Sequence, residues 1–192
     1  AVTGPKTAAV MLETVQGEGG VRPLPAAYLE GVERLCRQKG ILLICDEVQA
    51  GLCRTGRFWA YQHFGLTPDI VSCAKALANG LPMGAMLATD EAARGFEAGS
   101  HATTFGGGAL VSAVAAKTVE ILRRDNLDAR AAALGAAFRD KAEALRQRLG
   151  GAIAEVRGLG LMIGIELTAD GAPVWKELLR RGIICNLSHG TT

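Results

Sequence analysis

Ile41-Leu-Leu-Ile-Cys-Asp-Glu-Val-Gln49, followed downstream by Ile70-Val-Ser-Cys-Ala-Lys75, is the stretch whose reading decides the fold. Each apolar run is short and continuous, as expected of a strand buried on both faces of a parallel sheet. Each ends in an ionisable residue: Asp46 after the first run, Lys75 after the second. Ligands of open α/β sheets bind at the carboxyl edge of the strands. An acid and an amine set side by side there suit a ligand that needs one of each.

Working outward, residues 8–13 read as a preceding strand, and Gln16-Gly-Glu-Gly-Gly20 as a glycine-rich loop. Pro25 suits the first turn of a helix. That helix carries Tyr28, Leu29, Val32, Leu35 and Cys36 on one face, and Gly40 closes it. With the strand at 41–45 this makes a βαβ unit, expected to be right-handed. Phe58 to Phe64 reads as a short helix ended by Gly65. Asn79-Gly-Leu-Pro82 reads as a turn before a strand at 83–89, and 91–106 as loop. Helices are expected over about 109–124, with a Val111, Val114, Thr118, Leu122 stripe, and on to about Leu149. The second helix presents Leu134, Phe138, Leu145 and Leu149 on one side. The remainder reads as strand 153–156, strand 161–167, a helix opened by Pro173, and a strand 183–187. The expected class is α/β, with a unit boundary near residue 115: a sheet-bearing unit over 1–115 and a smaller α/β unit over 116–192.

Composition narrows the partners. Of the 192 residues 49% are hydrophobic and 21% charged, with a formal net charge of +2, which describes an ordinary globular chain. Lys and Arg are spread rather than blocked, so neither nucleic acid nor a membrane surface is expected as a partner. No apolar run approaches the roughly 20 residues of a membrane span. The five cysteines are odd in number and lack metal or redox spacing. With no signal-type apolar segment at the start, a cytoplasmic location is the expectation. His63, His101 and His189 lie too far apart in sequence to argue a metal, and none is expected.

Pyridoxal 5'-phosphate is a cofactor that needs an amine for its aldehyde and an acid for its ring nitrogen. Here the residues resemble a known family, the class III aminotransferases of fold type I, acetylornithine aminotransferases in particular. The resemblance is carried by Glu13-Thr-Val-Gln-Gly-Glu-Gly-Gly20, Cys45-Asp-Glu-Val-Gln-Ala-Gly51, Arg54-Thr-Gly56, Pro68-Asp-Ile70, Ala74-Lys-Ala-Leu77, His101-Ala-Thr-Thr-Phe-Gly-Gly107 and Arg157-Gly-Leu-Gly-Leu-Met162. Single pieces are weak signals; their shared order is a strong one. Thr14 departs from the proline that many members carry.

The resemblance implies the C-terminal half of the large, mainly parallel-sheet domain and most of the small domain. It implies that Lys75 links to the cofactor and then moves the substrate proton. Partial desolvation at a sheet edge would favour its neutral, nucleophilic amine. Asp46 is implied to pair with the ring nitrogen and Gln49 to contact the ring hydroxyl oxygen. Thr103 and Thr104 are implied to reach the cofactor phosphate of a neighbouring subunit, which makes a homodimer part of the site. Glu18 is implied to pair with an active-site arginine when a ω-amino substrate is bound, and Glu13 to orient this region. The implied reaction is ping-pong transfer of an amino group from acetylornithine to 2-oxoglutarate in arginine synthesis. Ornithine, succinylornithine and 4-aminobutyrate are alternative donors.

The family's main phosphate loop, its ring-stacking aromatic and its α-carboxylate arginine have no candidates in residues 1–192, so these residues alone are expected to be inactive. Two readings from other classes stand beside this one. A nucleotide hydrolase fragment would use Asp46-Glu47 to hold Mg²⁺, but the Gly-x-x-x-x-Gly-Lys-Ser/Thr loop it needs is absent from these residues. A folding or interaction fragment would have no activity at all.

Overall fold

The computed structural model describes residues 3–192. Strands β1 (Ala9–Leu12), β4 (Leu42–Asp46), β5 (Ile70–Cys73) and β6 (Ala85–Ala88) form one sheet in the order β1-β4-β5-β6. The first three are parallel, with Leu12 opposite Cys45 and Asp46 opposite Ser72. Strand β6 returns antiparallel to β5, following a turn through Asn79 in the left-handed region. Between β1 and β4 lie a two-stranded ribbon, β2 (Val15–Gln16) with β3 (Arg22–Pro23), and helix α1 (Ala26–Lys39). The ribbon flanks the glycine-rich loop read from sequence at 16–20.

Pro25 takes the N-cap of α1, and Gly40 closes the helix at φ 62°. Leu29 and Cys36 carry its buried line, whereas Tyr28 is exposed, contrary to expectation. The burial follows the helical steps Leu29, Val32, Cys36, and Tyr28 lies in the first turn beside that line. Asp69 locks the helix to the sheet. Its carboxylate accepts from the Leu43 N–H at 2.8 Å and from Arg37 Nη1 at 2.8 and 2.9 Å. This is the physical content of Pro68-Asp-Ile70: a backbone donor between strands and a helix cation share one acid.

Residues Ala60–Phe64 form a 3-10 turn closed by Gly65, and α2 (Asp90–Ala93) is a short helix in a stretch expected to be all loop. Thr89 caps α2 through its side chain, which accepts from the Ala92 N–H. Helices α3 (Ala109–Arg124) and α4 (Leu127–Arg148) follow. Ala115 of α3 is buried with Leu52, Cys73, Leu77 and Ala78, and Val114, Val119 and Leu122 pack on the same cluster, so α3 packs along its length on the sheet-bearing part of the chain.

The expected stripe of α4 is corrected by the structure. Leu134, Phe138, Leu145 and Leu149 are exposed, and the buried residues are Ala131, Gly135 and Ala142. The reason is distance. A Cβ on Gly135 would sit 1.9 Å from the Gly160 carbonyl oxygen, so only the small-residue line of α4 can meet that main chain. Gly160 belongs to the turn of an antiparallel hairpin, β7 (Ile153–Leu159) and β8 (Met162–Leu167). The same turn abuts Thr55 and Gly56, and Leu161 N–H donates to the Arg54 carbonyl at 2.9 Å. Arg54-Thr-Gly56 and Gly158-Leu-Gly160 are therefore two faces of one close main-chain contact.

Helix α5 (Ala172–Arg180) carries Pro173 in its first turn. The strand expected at 183–187 does not form. A strand needs a partner ladder, and here the segment is held otherwise. Ile183 N–H donates to the Leu178 carbonyl, and Trp175 Nε1 donates to the Cys185 carbonyl at 2.9 Å. Ile184 is left 89% exposed.

Candidate active site

Parallel registration brings Asp46 and the end of β5 to the same sheet edge. Lys75 stands three residues beyond Ser72, the partner of Asp46. It opens a 3-10 turn, Lys75–Ala78, in the left-handed region at φ 47°. That conformation costs a side-chain-bearing residue about 1–2 kcal/mol and persists where the surroundings over-determine it. Leu77 and Ala78 provide this constraint by burial in the core, and Leu77 N–H returns to the Ala74 carbonyl at 3.0 Å. The Lys75 side chain borders a cleft of about 390 Å³, shared with Val48, Gln49, Leu52, Arg54 and Asn79. Lys75 is exposed, which corrects the expectation of a partly desolvated amine.

Asp46 is half-buried, and its Oδ1 accepts from the Val48 N–H at 2.9 Å. Among the described residues it pairs with no lysine or arginine. Its neighbour Glu47 faces the opposite way. Glu47 is 1% exposed and accepts from the N–H groups of Ala60 (2.7 Å) and Tyr61 (2.8 Å). Burial pushes its carboxyl up to about 7, against the pull of those two donors. Both oxygens are thus engaged in tying β4 to the 3-10 turn. The Asp46-Glu47 pair does not present two acids to one cation, and the nucleotide hydrolase reading loses its site.

The glycine-rich loop arrives at the cleft from the other side. Glu13 Oε2 accepts from the Gly17 N–H at 2.9 Å, and Gln49 Nε2 donates to Glu18 Oε1 at 3.2 Å. A Cβ on Gly17 would meet the Gln49 side-chain oxygen at 2.4 Å, so a side chain there would push the Gln49 amide aside. His189, expected to be a surface or loop residue, is exposed; its Nε2 lies 2.8 Å from the Glu18 carbonyl oxygen. The fold thus brings Gln49 and Lys75 to one cleft, with Glu18 hydrogen-bonded to Gln49, Asp46 at the strand end and Glu13 bracing the loop.

Thr103 and Thr104 are exposed, in the segment before α3. The N-cap of α3 is Gly108, so neither threonine caps that helix. Among the described residues, no hydrogen bond joins them to Lys75, Asp46 or Gln49.

Sequence reasoning gave Arg157 no role, and gave Glu47 only that of a metal-holding acid. Arg157 lies within strand β7 and is buried. It donates from Nε to the Gly20 carbonyl at 2.8 Å and from Nη1 to Glu155 at 2.7 Å, and it pairs with Glu166. Its hydrogen bond holds the Glu166 carboxyl below the usual range. The available signal was a cation two residues after an acid, Glu155, in a strand-forming stretch.

Residues 1–192 match the family model for aminotransferase class III, and the chain belongs to that family. Its relatives carry more than one function in their names. An acetylornithine aminotransferase of Methanocaldococcus jannaschii is 45% identical over 97% of this chain and 46% of its own length. A [LysW]-aminoadipate semialdehyde transaminase of Deinococcus radiodurans is 44% identical over 94% of this chain and 42% of its own. Among solved structures, the acetylornithine aminotransferase of Elizabethkingia anophelis superposes with a TM-score of 0.90 at 33% identity, covering 96% of this chain and 47% of that one. The ornithine aminotransferase of Toxoplasma gondii, with partial occupancy of PLP at its active site, gives 0.89 at 39% identity, covering 97% and 45%. The chain spans about half the length of the curated relatives it matches. The family and fold expectations are borne out: a class III chain with an α/β architecture shared with PLP-dependent aminotransferases.

Proposed function

We propose that this chain is part of a pyridoxal-phosphate-dependent aminotransferase that moves an amino group from acetylornithine, or a ω-amino donor of similar shape, to 2-oxoglutarate. The observation that carries the reading is the shared cleft. Lys75 and Gln49 line it at the carboxyl edge of the sheet, Glu18 reaches it through Gln49, and Asp46 ends the adjacent strand.

The donor set fits the cofactor. Asp46 is a half-buried carboxylate without a basic partner among the described residues, which suits a protonated ring nitrogen. Gln49 offers an amide for the ring hydroxyl oxygen, and Lys75 an amine for the aldehyde. When bound, pyridoxal phosphate supplies an electron sink that acidifies the substrate α-carbon. With the cofactor bound, Asp46 would keep the ring nitrogen charged, Gln49 would contact the ring hydroxyl oxygen, and Lys75 would take and return the proton at the α-carbon. Glu18 neutralises an active-site arginine while the ω-amino donor is bound and frees it for the dicarboxylate, with Glu13 holding the loop. Two substrates of unlike charge can then share one pocket in ping-pong order.

Thr103 and Thr104, exposed and clear of the cleft in one chain, suit a phosphate in a neighbouring subunit, so the working unit in this reading is a homodimer. The unit boundary near residue 115 belongs to the reading as well. Residues 1–115 would be part of the cofactor-binding unit and 116–192 a small unit, with α3 as the joint.

The test is to load the full-length enzyme that contains residues 1–192 with pyridoxal phosphate, reduce it with borohydride and map the labelled peptide, then assay acetylornithine with 2-oxoglutarate. The expected results are a label on Lys75 and turnover of roughly 1 per second or more in the holoenzyme. Ornithine, succinylornithine and 4-aminobutyrate are the comparison donors. A label on Lys39 or Lys117, or no transfer to 2-oxoglutarate from any of these donors, overturns the reading.

A further inference from the structure

We infer that Arg157 is a positioning residue: from the β7–β8 hairpin it holds the turn that presents Glu18 to the cleft. The inference rests on the proposed function for the meaning of Glu18, but the hold itself is geometric.

The turn is unusual. Gly20 lies at φ 92° and Val21, a β-branched residue, at φ 54°. A β-branched side chain in the left-handed region is an outlier that persists only where its surroundings impose it. Inside the turn, the N–H groups of Gly20 and Val21 both return to the Gly17 carbonyl at 3.1 Å. The outward-facing Gly20 carbonyl is the group that Arg157 Nε takes at 2.8 Å. Arg157 is in turn fixed from behind. Nη1 is shared by Glu155 and Glu166, Nη2 donates to Thr192 Oγ1 at 3.3 Å, and Arg22 closes on Glu166 at 3.0 Å. Gly164 of β8 lets the hairpin approach: a Cβ there would meet the Gly20 carbonyl oxygen and the Val21 side chain, each at 3.1 Å.

A buried cation that pairs with two acids nearer the surface and donates to a carbonyl has its rotamer set by all of them. The turn is therefore clamped between the hairpin on one side and Gln49 on the other. Glu18 sits between the two clamps, with its carboxylate on Gln49 and its carbonyl near His189. Releasing the hairpin clamp lets Val21 relax toward ordinary backbone angles, and the relaxation displaces Glu18.

The test uses R157Q, R157K, E18Q and the double variant R157Q/E18Q in the holoenzyme. Two readouts are taken: amide hydrogen exchange over residues 17–21, and single-turnover kcat/KM for each half-reaction. The expected result is that R157Q speeds exchange at Gly20 and Val21 by about tenfold or more while the β4 amides are unchanged. With the ω-amino donor kcat/KM should fall by about tenfold, with 2-oxoglutarate by less than about threefold, and R157K should recover part of the loss. In the E18Q background R157Q should add little, because it acts through Glu18. Unchanged exchange, an equal loss in both half-reactions, or a full additive loss in the E18Q background each overturns the inference. If the wild type transfers no amino group, the proposed activity falls instead, and the exchange measurement still decides whether Arg157 holds the turn.

Discussion

The side-chain amide of Gln49 donates to the carboxylate of Glu18 at 3.2 Å, across 31 positions of sequence. This bond joins the end of the central strand to the glycine-rich loop, and it sets the loop's acid beside the cleft that Lys75 borders. An amide fits because it donates to one carboxylate and still carries an acceptor for a second partner.

Gln49→Glu is the sharpest probe of that bond. It keeps size and places a second carboxylate at hydrogen-bond distance from the first, so the two repel. The expected outcome is a fall of roughly tenfold or more in kcat/KM for the ω-amino donor. The fall should shrink as pH is lowered, since protonating either acid restores a donor. A pH series of single-turnover rates checks this; a variant as active as wild type at neutral pH would separate Glu18 from the reaction.

Lys75 carries two demands, and substitution separates them. Lys75→Ala removes the amine and should abolish turnover with little change in fold. Lys75→Gly should be equally inactive but more stable than the alanine variant by roughly 0.5–1 kcal/mol, because glycine accepts φ 47° without a Cβ penalty. Urea melts of the two variants compare them directly. Equal midpoints would mean that the left-handed turn stores no strain.

Asp46→Asn preserves shape and removes charge. Under the proposed function the variant should abstract the substrate proton about a hundredfold or more slowly, while cofactor affinity falls by less than about tenfold. Single-turnover kinetics with α-deuterated donor separate the two effects. Near wild-type rates would take the ring-nitrogen role away from Asp46.

Asp46 and Lys75 were legible in the sequence because two apolar runs end in them, and parallel pairing then leaves little choice about the edge they share. Helix bounds were legible for the same local reasons, as at 109–124. What was not legible depends on neighbours distant in sequence. The amphipathic pattern of α4 marks a helix, but its large apolar residues pointed to the wrong face, since the contact is decided by a glycine main chain at 160. Residues 183–187 have strand-forming side chains and no ladder to join. Arg157 meets Gly20 across 137 positions, and no local spacing announces that. Glu47 reads as half of an acidic pair until the donors of Ala60 and Tyr61 are seen to engage it.

Glu47 gives a pH dependence of known sign. Burial raises its carboxyl from an ordinary value near 4.5 to about 7 in the folded protein. Such a group contributes stability that is complete below about 4.5 and is lost as pH rises through about 7. Urea midpoints should therefore fall between pH 5 and pH 8, by an amount on the order of 1–3 kcal/mol in stability. Glu47→Gln should flatten that slope. It should also cost about 1–3 kcal/mol at pH 5, because one of the two backbone donors would face an amide N–H₂. An unchanged slope in the variant would assign the pH dependence to another group.

The packing of α4 on the hairpin turn predicts a reversal of helix propensity at Gly135. In an exposed helix interior, glycine to alanine gains about 1 kcal/mol. Here the new methyl carbon would lie 1.9 Å from the Gly160 carbonyl oxygen, 2.3 Å from its carbonyl carbon and 2.7 Å from its Cα. Those atoms cannot retreat easily, because Gly160 is itself pressed against the main chain of Thr55 and Gly56: a Cβ on Gly160 would meet Thr55 C at 2.3 Å and Gly56 N at 2.6 Å. Three main-chain segments are stacked with no side chain between them, and separating them also disturbs the Leu161 bond to Arg54. Gly135→Ala should therefore destabilise the protein by about 2–4 kcal/mol, the range of overpacking at a rigid site. The control is Leu134→Gln, one residue earlier on the exposed face, which should change stability by less than about 0.5 kcal/mol. Urea denaturation of both variants checks the pair. If Leu134→Gln were the costly change and Gly135→Ala the mild one, α4 would have to face its neighbours with the large apolar stripe, and the glycine contact would be wrong.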